Sequence, residues 1–469
     1  MFRSPRRRLL LAVAALALVG GGAVWVMGRY RGEATAEARP TPEQRYFDWT
    51  TLPFDAGELA ARRDRLRERL SAGGGGVYLA PSQRGVSEGF TFRQLDDFYY
   101  FTGLELPDSV LAIDADGEAI VFAPRRDARF ENPSRRNDFP GRPLADDPEI
   151  ARRAGITIEP IEALAPFLAG LAASGRTARV NPGAPGEVPR PTLTFTADWT
   201  PEQHFIAWLR ATYPALTLSS AYDAVATLRM IKSNTEIALM RRAASVGATG
   251  IAHAAGFVKA GVDERTLEGE LEAYYKRHGS ARLGFSSIIK SGPNALWPWR
   301  ILAAHAERRN RQMQDGELVI FDVGCEIGGY TSDVGRTFPV SGEFSDEQRA
   351  ILEMEVAVSD ALIAAMRPGV TLAEVQRAGA EAIPAEHRPY MQTGFYFGHH
   401  IGLSSGDPNL MEATLQPGMV ITVEPWYYNH DRGISVFTED DILITATGAE
   451  NLTAEVPRTP DALERLLRP

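Results

Sequence analysis

The 469-residue sequence contains a single cysteine, Cys325. One thiol excludes an internal disulfide framework and any thiolate-rich zinc or iron–sulfur site. Lysine is scarce too: Lys232, Lys259, Lys276 and Lys290 are the only four among 50 basic residues, a skew that reads as compositional bias rather than function. Positive charge is in deficit overall, with 60 acidic residues and a formal net charge of −10. The broad basic footprint that nucleic acid requires is therefore missing. Repeats at solenoid periods are absent. What remains is globular: 44% hydrophobic and 23% charged residues exclude disorder and a multi-span membrane protein. The length predicts two domains.

One hydrophobic run stands apart. Arg3, Arg6, Arg7 and Arg8 precede 20 uncharged residues, Leu9 to Gly28. This run is longer than a usual signal-peptide core and long enough to span a bilayer. Residues 1–40 read as a retained membrane anchor with its linker, or alternatively as a cleaved signal peptide. Either way the positive-inside rule sends the rest of the chain out of the cytoplasm, into the periplasm.

Punctuation and periodicity organise the remainder. Leu59 to Leu70 is an arginine-rich helical stretch that stops at the Gly73–Gly76 run. Val110 to Ile113 and Ala119 to Ala123 read as strands around Asp116-Gly117. Asn181 to Pro191, with four prolines and two glycines, is the strongest internal break. It places a domain boundary between Pro182 and Ala224. Beyond it, long helices (Glu236–Phe257, Glu264–Arg277, Asp346–Met366, Thr371–Ala382) alternate with strands, an α/β or α+β pattern.

Chemistry concentrates in this second half. Leu318 to Asp333 reads as two strands joined by a tight turn near Ile327-Gly328. A two-residue turn there pairs Glu326 with Gly329 and sets Asp322 opposite Asp333. Two facing carboxylates repel, and an apolar strand has little reason to carry one; a bound cation resolves both problems. The alternative is that each aspartate sits on a solvated face or satisfies a turn. Further on, His399 lies in Gly398-His-His-Ile-Gly-Leu403, Glu424 ends the strand Met419–Glu424, and Glu439 opens the strand Glu439–Thr445.

The order Asp322, Asp333, His399, Glu424, Glu439, with the second aspartate eleven positions after the first, resembles the pita-bread metallopeptidase family of methionine aminopeptidase, prolidase and aminopeptidase P. The segments Ser291-Gly-Pro-Asn-Ala295, Ser332-Asp-Val-Gly-Arg-Thr-Phe338, Gly418-Met-Val-Ile-Thr-Val-Glu-Pro425 and Glu439-Asp-Asp441 match it as well. Phe92 to Gly103 (FRQLDDFYYFTG) resembles the N-terminal domain of aminopeptidase P. The resemblance implies a smaller α/β N-terminal domain over residues 50–215 and a pita-bread catalytic domain over 225–460. It further implies two divalent metal ions, with Mn²⁺ suited to an oxygen-rich ligand set and Zn²⁺ or Co²⁺ as alternatives. Asp322 would hold one ion, Asp333 and Glu439 would bridge both, and His399 and Glu424 would complete the second. Glu424 would take the proton of an activated water. The implied reaction releases the first residue of peptides with proline in second position; a dipeptide-only prolidase and a non-catalytic peptide-binding protein are the alternatives. Relatives commonly form homo-oligomers, so a homo-oligomer is expected here.

Several positions depart from the family pattern. Trp299 stands where a histidine is usual after Ser291-Gly-Pro-Asn-Ala295, but His305 lies 17 residues before Asp322, the family's spacing, and is taken as the substrate-facing histidine. Phe395, Gly406, Trp426 and Phe437 replace a histidine, a second histidine, a glycine and an arginine. His400 and His430 read as exposed rather than as substitutes. Cys325 reads as a packing residue. Trp297, Trp299, Tyr330, Tyr396, Trp426 and Tyr427 supply aromatic surface near the site, with core packing the expected role of each.

Overall fold

Asp55 opens the first helix, its carboxylate accepting the Glu58 amide at 2.7 Å as an N-cap. The computed structural model describes residues 52–85, 92–125, 145, 148–190, 199–298, 310–391, 397–410 and 412–468. The expected N-terminal apolar segment lies outside them. Among the described residues, no helix is long and apolar enough to cross a membrane.

The amino half is built from α1 (Ala56–Ala72), β1 (Val77–Pro81), α2 (Asp96–Thr102), β2 (Val110–Asp114), β3 (Ala119–Ala123), α3 (Pro148–Ala154), β4 (Thr157–Pro160), α4 (Leu164–Ala173), β5 (Ala178–Val180), α5 (Pro201–Thr212) and β6 (Leu218–Ser220). Its six strands form one sheet in the order β4-β3-β2-β1-β5-β6. Strand β1 pairs antiparallel with β2 and parallel with β5. Leu79, Val110, Phe122, Leu168, Val180 and Ile206 fill the core on one face. The arginines of α1 are not all solvated. Arg62 and Arg63 are buried and donate to the Tyr100 and Phe101 carbonyls at 2.9 and 2.8 Å. These carbonyls belong to the last turn of α2, where a cation meets the negative end of the helix dipole. Hydrogen bonds to a charged group contribute about 1.5–3 kcal/mol each, so Arg63→Ala would loosen α2 from α1.

Helix α6 (Tyr222–Met230) leads into the carboxyl half. There α7 (Asn234–Ala255) starts at a capping box formed by Ser233 and Glu236. It packs against α8 (Glu264–Arg277), and the approach is close enough that a Cβ at Gly250 would meet the Tyr275 ring at 2.4 Å. Strands β7 (Arg282–Leu283), β8 (Ile288–Ser291), β9 (Leu318–Val323), β10 (Cys325–Ile327), β11 (Tyr330–Thr331) and β12 (Val334–Pro339) follow. Then come α9 (Asp346–Ala365), α10 (Leu372–Ala382), β13 (Val420–Val423), β14 (Trp426–Asn429), β15 (Ile434–Phe437), β16 (Asp440–Ile444), β17 (Ala449–Asn451) and α11 (Pro460–Leu466). The strands form the small sheets β11-β10-β7, β12-β9-β8 and β13-β16-β17 and the hairpin β14-β15. The long helices cover them around one apolar core. The result is a mixed α/β fold.

The hairpin register differs from the expected one by two residues. Ile327 pairs with Tyr330 and Glu326 with Thr331, so Gly328-Gly329 is the turn. Both glycines have positive φ, 59° and 88°, which a tight two-residue hairpin turn demands and which side-chain-bearing residues resist. Asp322 therefore faces Gly335 rather than Asp333. A slip of two keeps both aspartates on the same face of the pair, because side chains alternate with period two.

Candidate metal centre

Backbone pairing brings the five predicted ligand positions together. Asp322 on β9 faces Gly335, and Gly335 forms a two-way bridge to Glu439, with amide-to-carbonyl distances of 3.2 and 3.0 Å. Strand β13 pairs with β16 so that Val423 faces Asp440, which sets Glu424 and Glu439 opposite each other at the open end of that pair. His399 is fixed beside β13: the Thr422 amide donates to its carbonyl at 2.9 Å, and its own amide donates to Thr422 Oγ1 at 3.0 Å.

Asp333, His399 and Glu439 each place one ligand-type atom within 4.8 Å of the others. His399 Nε2 lies 3.1 Å from Glu424 Oε1 and 3.8 Å from Asp333 Oδ2. Asp322 and Glu424 stand outside that tightest group but act on it electrostatically. Asp322, Asp333 and Glu439 are buried, while His399 and Glu424 are half-buried and mark the open side.

Burial of so many acids is electrostatically costly. Burial, and then the charge of Glu424, push the Asp322 carboxyl up to about 8. Burial and the neighbouring carboxylates push Asp333 and Glu439 well above the usual range. Burial opposes the charged form of His399, yet the hydrogen bond and charge of Glu424 prevail and push it up to about 9. Asp333 Oδ1 and Glu439 Oε2 are buried without a hydrogen-bond partner. Oxygen-rich, desolvated, mutually repelling and partly orphaned, this donor set fits a divalent cation.

Supporting side chains hold the ligands. Thr422 Oγ1 donates to Glu424 Oε1 at 3.0 Å, and Asp441 Oδ2 accepts the Asp333 amide at 3.1 Å. The fully buried Arg336 donates to the Glu439 carbonyl at 2.6 Å and to Asp440 Oδ1 at 2.7 Å, fixing the strand start that carries Glu439. Thr422 and Arg336 were not singled out from the sequence. Thr422 has a signal, two residues before Glu424 on an extended strand and hence on the same side; Arg336 has none, since its partners are mostly carbonyls distant in sequence.

Other predicted residues fall differently. His305, Trp299, Phe395 and Tyr396 lie outside the described residues. His400, expected to be exposed, is buried at 2%. It bridges to Ile421, and with His399 turned toward the acids its neighbour must turn inward. Burial and the nearby Lys232 charge lower it to about 3, so it is neutral. His430 is exposed, as expected. Asp407, beside Gly406, is buried against Arg229 and Lys232 and serves the packing of the two halves. Cys325 is buried, its thiol pushed up to about 12 by burial, with Sγ 3.3 Å from the Ala243 carbonyl; it is a packing residue. Tyr330 is buried and donates to Glu236 at 2.6 Å.

Residues 238–446 match the family described as metallopeptidase family M24, and residues 59–134 match the aminopeptidase P N-terminal domain. The Xaa-Pro aminopeptidase of Escherichia coli (strain K12) is 29% identical over 466 residues, spanning 87% of this chain and 97% of that protein. Proline aminopeptidase P II from Yersinia pestis superposes with a TM-score of 0.70 at 26% identity, covering 88% of this chain and 99% of that one. Zn-substituted E. coli aminopeptidase P in complex with product gives 0.70 and 26%, covering 88% and 98%. With both matches falling on the two halves described above, the chain belongs to metallopeptidase family M24 and carries the N-terminal domain of its aminopeptidase P members.

Proposed function

We propose that this protein is a metal-dependent exopeptidase that hydrolyses the first peptide bond of substrates with proline in second position. The observation that carries the reading is the convergence of Asp322, Asp333, His399, Glu424 and Glu439, three buried carboxylates, one half-buried carboxylate and one imidazole, with no lysine or arginine side chain paired to any of them among the described residues. Two divalent ions, of which Mn²⁺ suits the donors best, would supply Lewis-acid polarisation of the scissile carbonyl and acidify a water.

The residues of the chain do the rest. Asp333 and Glu439 would hold both ions, Asp322 would hold one, and His399 and Glu424 would complete the other. Glu424, half-buried and oriented by Thr422, accepts the proton of the attacking water and returns it to the departing nitrogen. That return matters for an Xaa-Pro bond, because proline lacks an N–H and its nitrogen leaves poorly as an anion. Arg336 and Asp441 keep the carboxylates at fixed positions while charge develops. His305 is proposed to face the substrate, on its sequence spacing alone. Export through residues 1–40 and homo-oligomer formation are carried forward as parts of the same proposal.

The test is hydrolysis of Ala-Pro and Ala-Pro-Ala with Mn²⁺ or with chelator. Alanine release from the tripeptide that chelator abolishes is expected. Cleavage of the dipeptide alone would replace the reading with a dipeptidase, and no cleavage with any divalent metal would reject it.

A further inference from the structure

The strands that carry Glu424 and Glu439 continue into a row of aromatic rings that the hydrolytic chemistry does not use. From Glu424 onward, alternate residues of the extended chain are Trp426, Tyr428 and His430, which share one side. Trp426 stacks on Phe437 with ring centroids 3.7 Å apart and on Tyr428 at 5.3 Å. Tyr428 lies parallel to His430 at 6.5 Å and 10°, and His430 lies on Trp297 at 4.5 Å.

The row starts at the metal centre. Phe437 precedes Glu439 by two residues, and a Cβ at Gly335, the partner of Asp322, would fall 2.1 Å from the Phe437 ring. It ends at the surface. Phe437 and Trp426 are buried, Tyr428 is half-buried, His430 is exposed and Trp297 is 45% exposed. Packing accounts for the inner pair, which shares a small core with Ala295 and Ile320. It does not account for a tryptophan and a histidine held ring to ring in solvent.

We infer that the outer rungs, Tyr428, His430 and Trp297, form a docking strip for the substrate segment that follows the scissile bond, and that the strip selects proline-rich, uncharged, extended segments. The inference rests on the peptidase reading above. Three arguments support it. The strip is continuous with the metal centre, so a peptide cleaved there has its leaving segment within reach. The rungs carry no carboxylate and no guanidinium, so they offer flat apolar faces rather than a charge for a terminal carboxylate. Aromatic-lined surfaces recognise polyproline-type segments because those segments are already extended and lose little entropy on docking. The outward steps of 6.5 and 4.5 Å suit about three such residues at ~3.1 Å each.

The test compares wild type with Trp297→Ala in the full chain. Trp297 is exposed, so its removal leaves the core intact. With Mn²⁺, initial alanine release is measured from Ala-Pro-Ala and from Ala-Pro-Pro-Pro-Ala. The strip predicts that the variant loses about three- to tenfold more kcat/KM on the pentapeptide than on the tripeptide, through KM, as befits one lost ring contact. Equal effects on both peptides would overturn it. A second measurement is independent of hydrolysis: calorimetric binding of an acetylated, amidated pentaproline to chelator-treated protein. Weaker binding by the variant supports the strip, and unchanged binding, or none by wild type, overturns it. Failure of wild type to hydrolyse either peptide would reject the peptidase reading, while the pentaproline result still decides the strip.

Discussion

Two groups of buried acids in this molecule are balanced in opposite ways. Where the halves meet, Arg229 donates to Asp97 and Asp96 at 2.9 and 3.0 Å and also to Asp407, and Lys232 stands 3.4 Å from Asp407. Burial raises the Asp96 carboxyl, but Arg229 and Arg93 outweigh it and hold it below the usual carboxylate range. At the metal centre the same residue type, more deeply buried and without a lysine or arginine beside it among the described residues, is pushed up to about 8 in Asp322. Among the described residues, His399 is the only basic side chain facing the acids there. The first cluster closes its charge balance with the chain's own cations. The second leaves it to be closed from outside, which is what a metal site requires.

The sharpest break in that comparison is Asp333→Ala. It removes a central ligand, so bound metal measured by elemental analysis and alanine release from Ala-Pro-Ala should both fall to background. Unchanged metal content would remove Asp333 from the ligand set. Next in size, Arg229→Ala strips the internal cation from Asp96, Asp97 and Asp407 and should cost about 3–5 kcal/mol in urea unfolding, with metal content per folded molecule unchanged. A loss under 1 kcal/mol would show that these aspartates do not depend on it.

The third contrast is with pH, in metal-free protein. Asp322 has a folded value of about 8 against an unfolded value near ~4, so its folded form holds the proton more tightly. Its contribution to stability is complete below ~4 and is lost as pH rises toward 8. His399, at about 9 in the fold against ~6.5 unfolded, loses its contribution as pH rises over that higher window. Both signs agree. The melting temperature of chelated protein should fall from pH 5 to 9, and saturating Mn²⁺ should flatten or reverse the trend. A pH-independent chelated protein would contradict the charge imbalance. The smallest effect belongs to Cys325→Ala, which should keep tripeptide hydrolysis within about twofold and cost about 1 kcal/mol of packing. Loss of activity there would give the thiol a role that its burial denies it.

The sequence carried the site further than the fold around it. Asp322 was legible because an acid in the apolar strand Leu318–Val323 has little reason to be there, whereas Asp333, His399, Glu424 and Glu439 were legible through the order and spacing in which the five resemble the metallopeptidase family. The convergence itself was not, since it depends on the Gly335–Glu439 bridge and on the β13–β16 register, both long-range pairings. The hairpin slipped by two because the turn was placed on Ile327-Gly328; two consecutive glycines are the stronger hairpin signal, and they claim the turn. Helices fared well: Glu264–Arg277 stands as read, and Asp346–Met366 ends one residue earlier, because caps and period are local. His400 was misplaced because the exposure of one of two adjacent histidines depends on which of them turns inward. The buried faces of Arg62, Arg63 and Arg336 were hidden for a related reason: arginine looks solvated in sequence until the carbonyls it serves are known.

The central claim is that the buried acids are kept for divalent cations. Calorimetric titration of chelator-treated full-length protein with Mn²⁺ at pH 7, repeated in buffers of different ionisation enthalpy, tests it directly. Carboxyls held protonated by burial must release protons when the ions enter, so the account predicts saturable binding of two ions with net proton release, both lost in Asp333→Ala. Absence of saturable binding, or binding with no proton release, would contradict it.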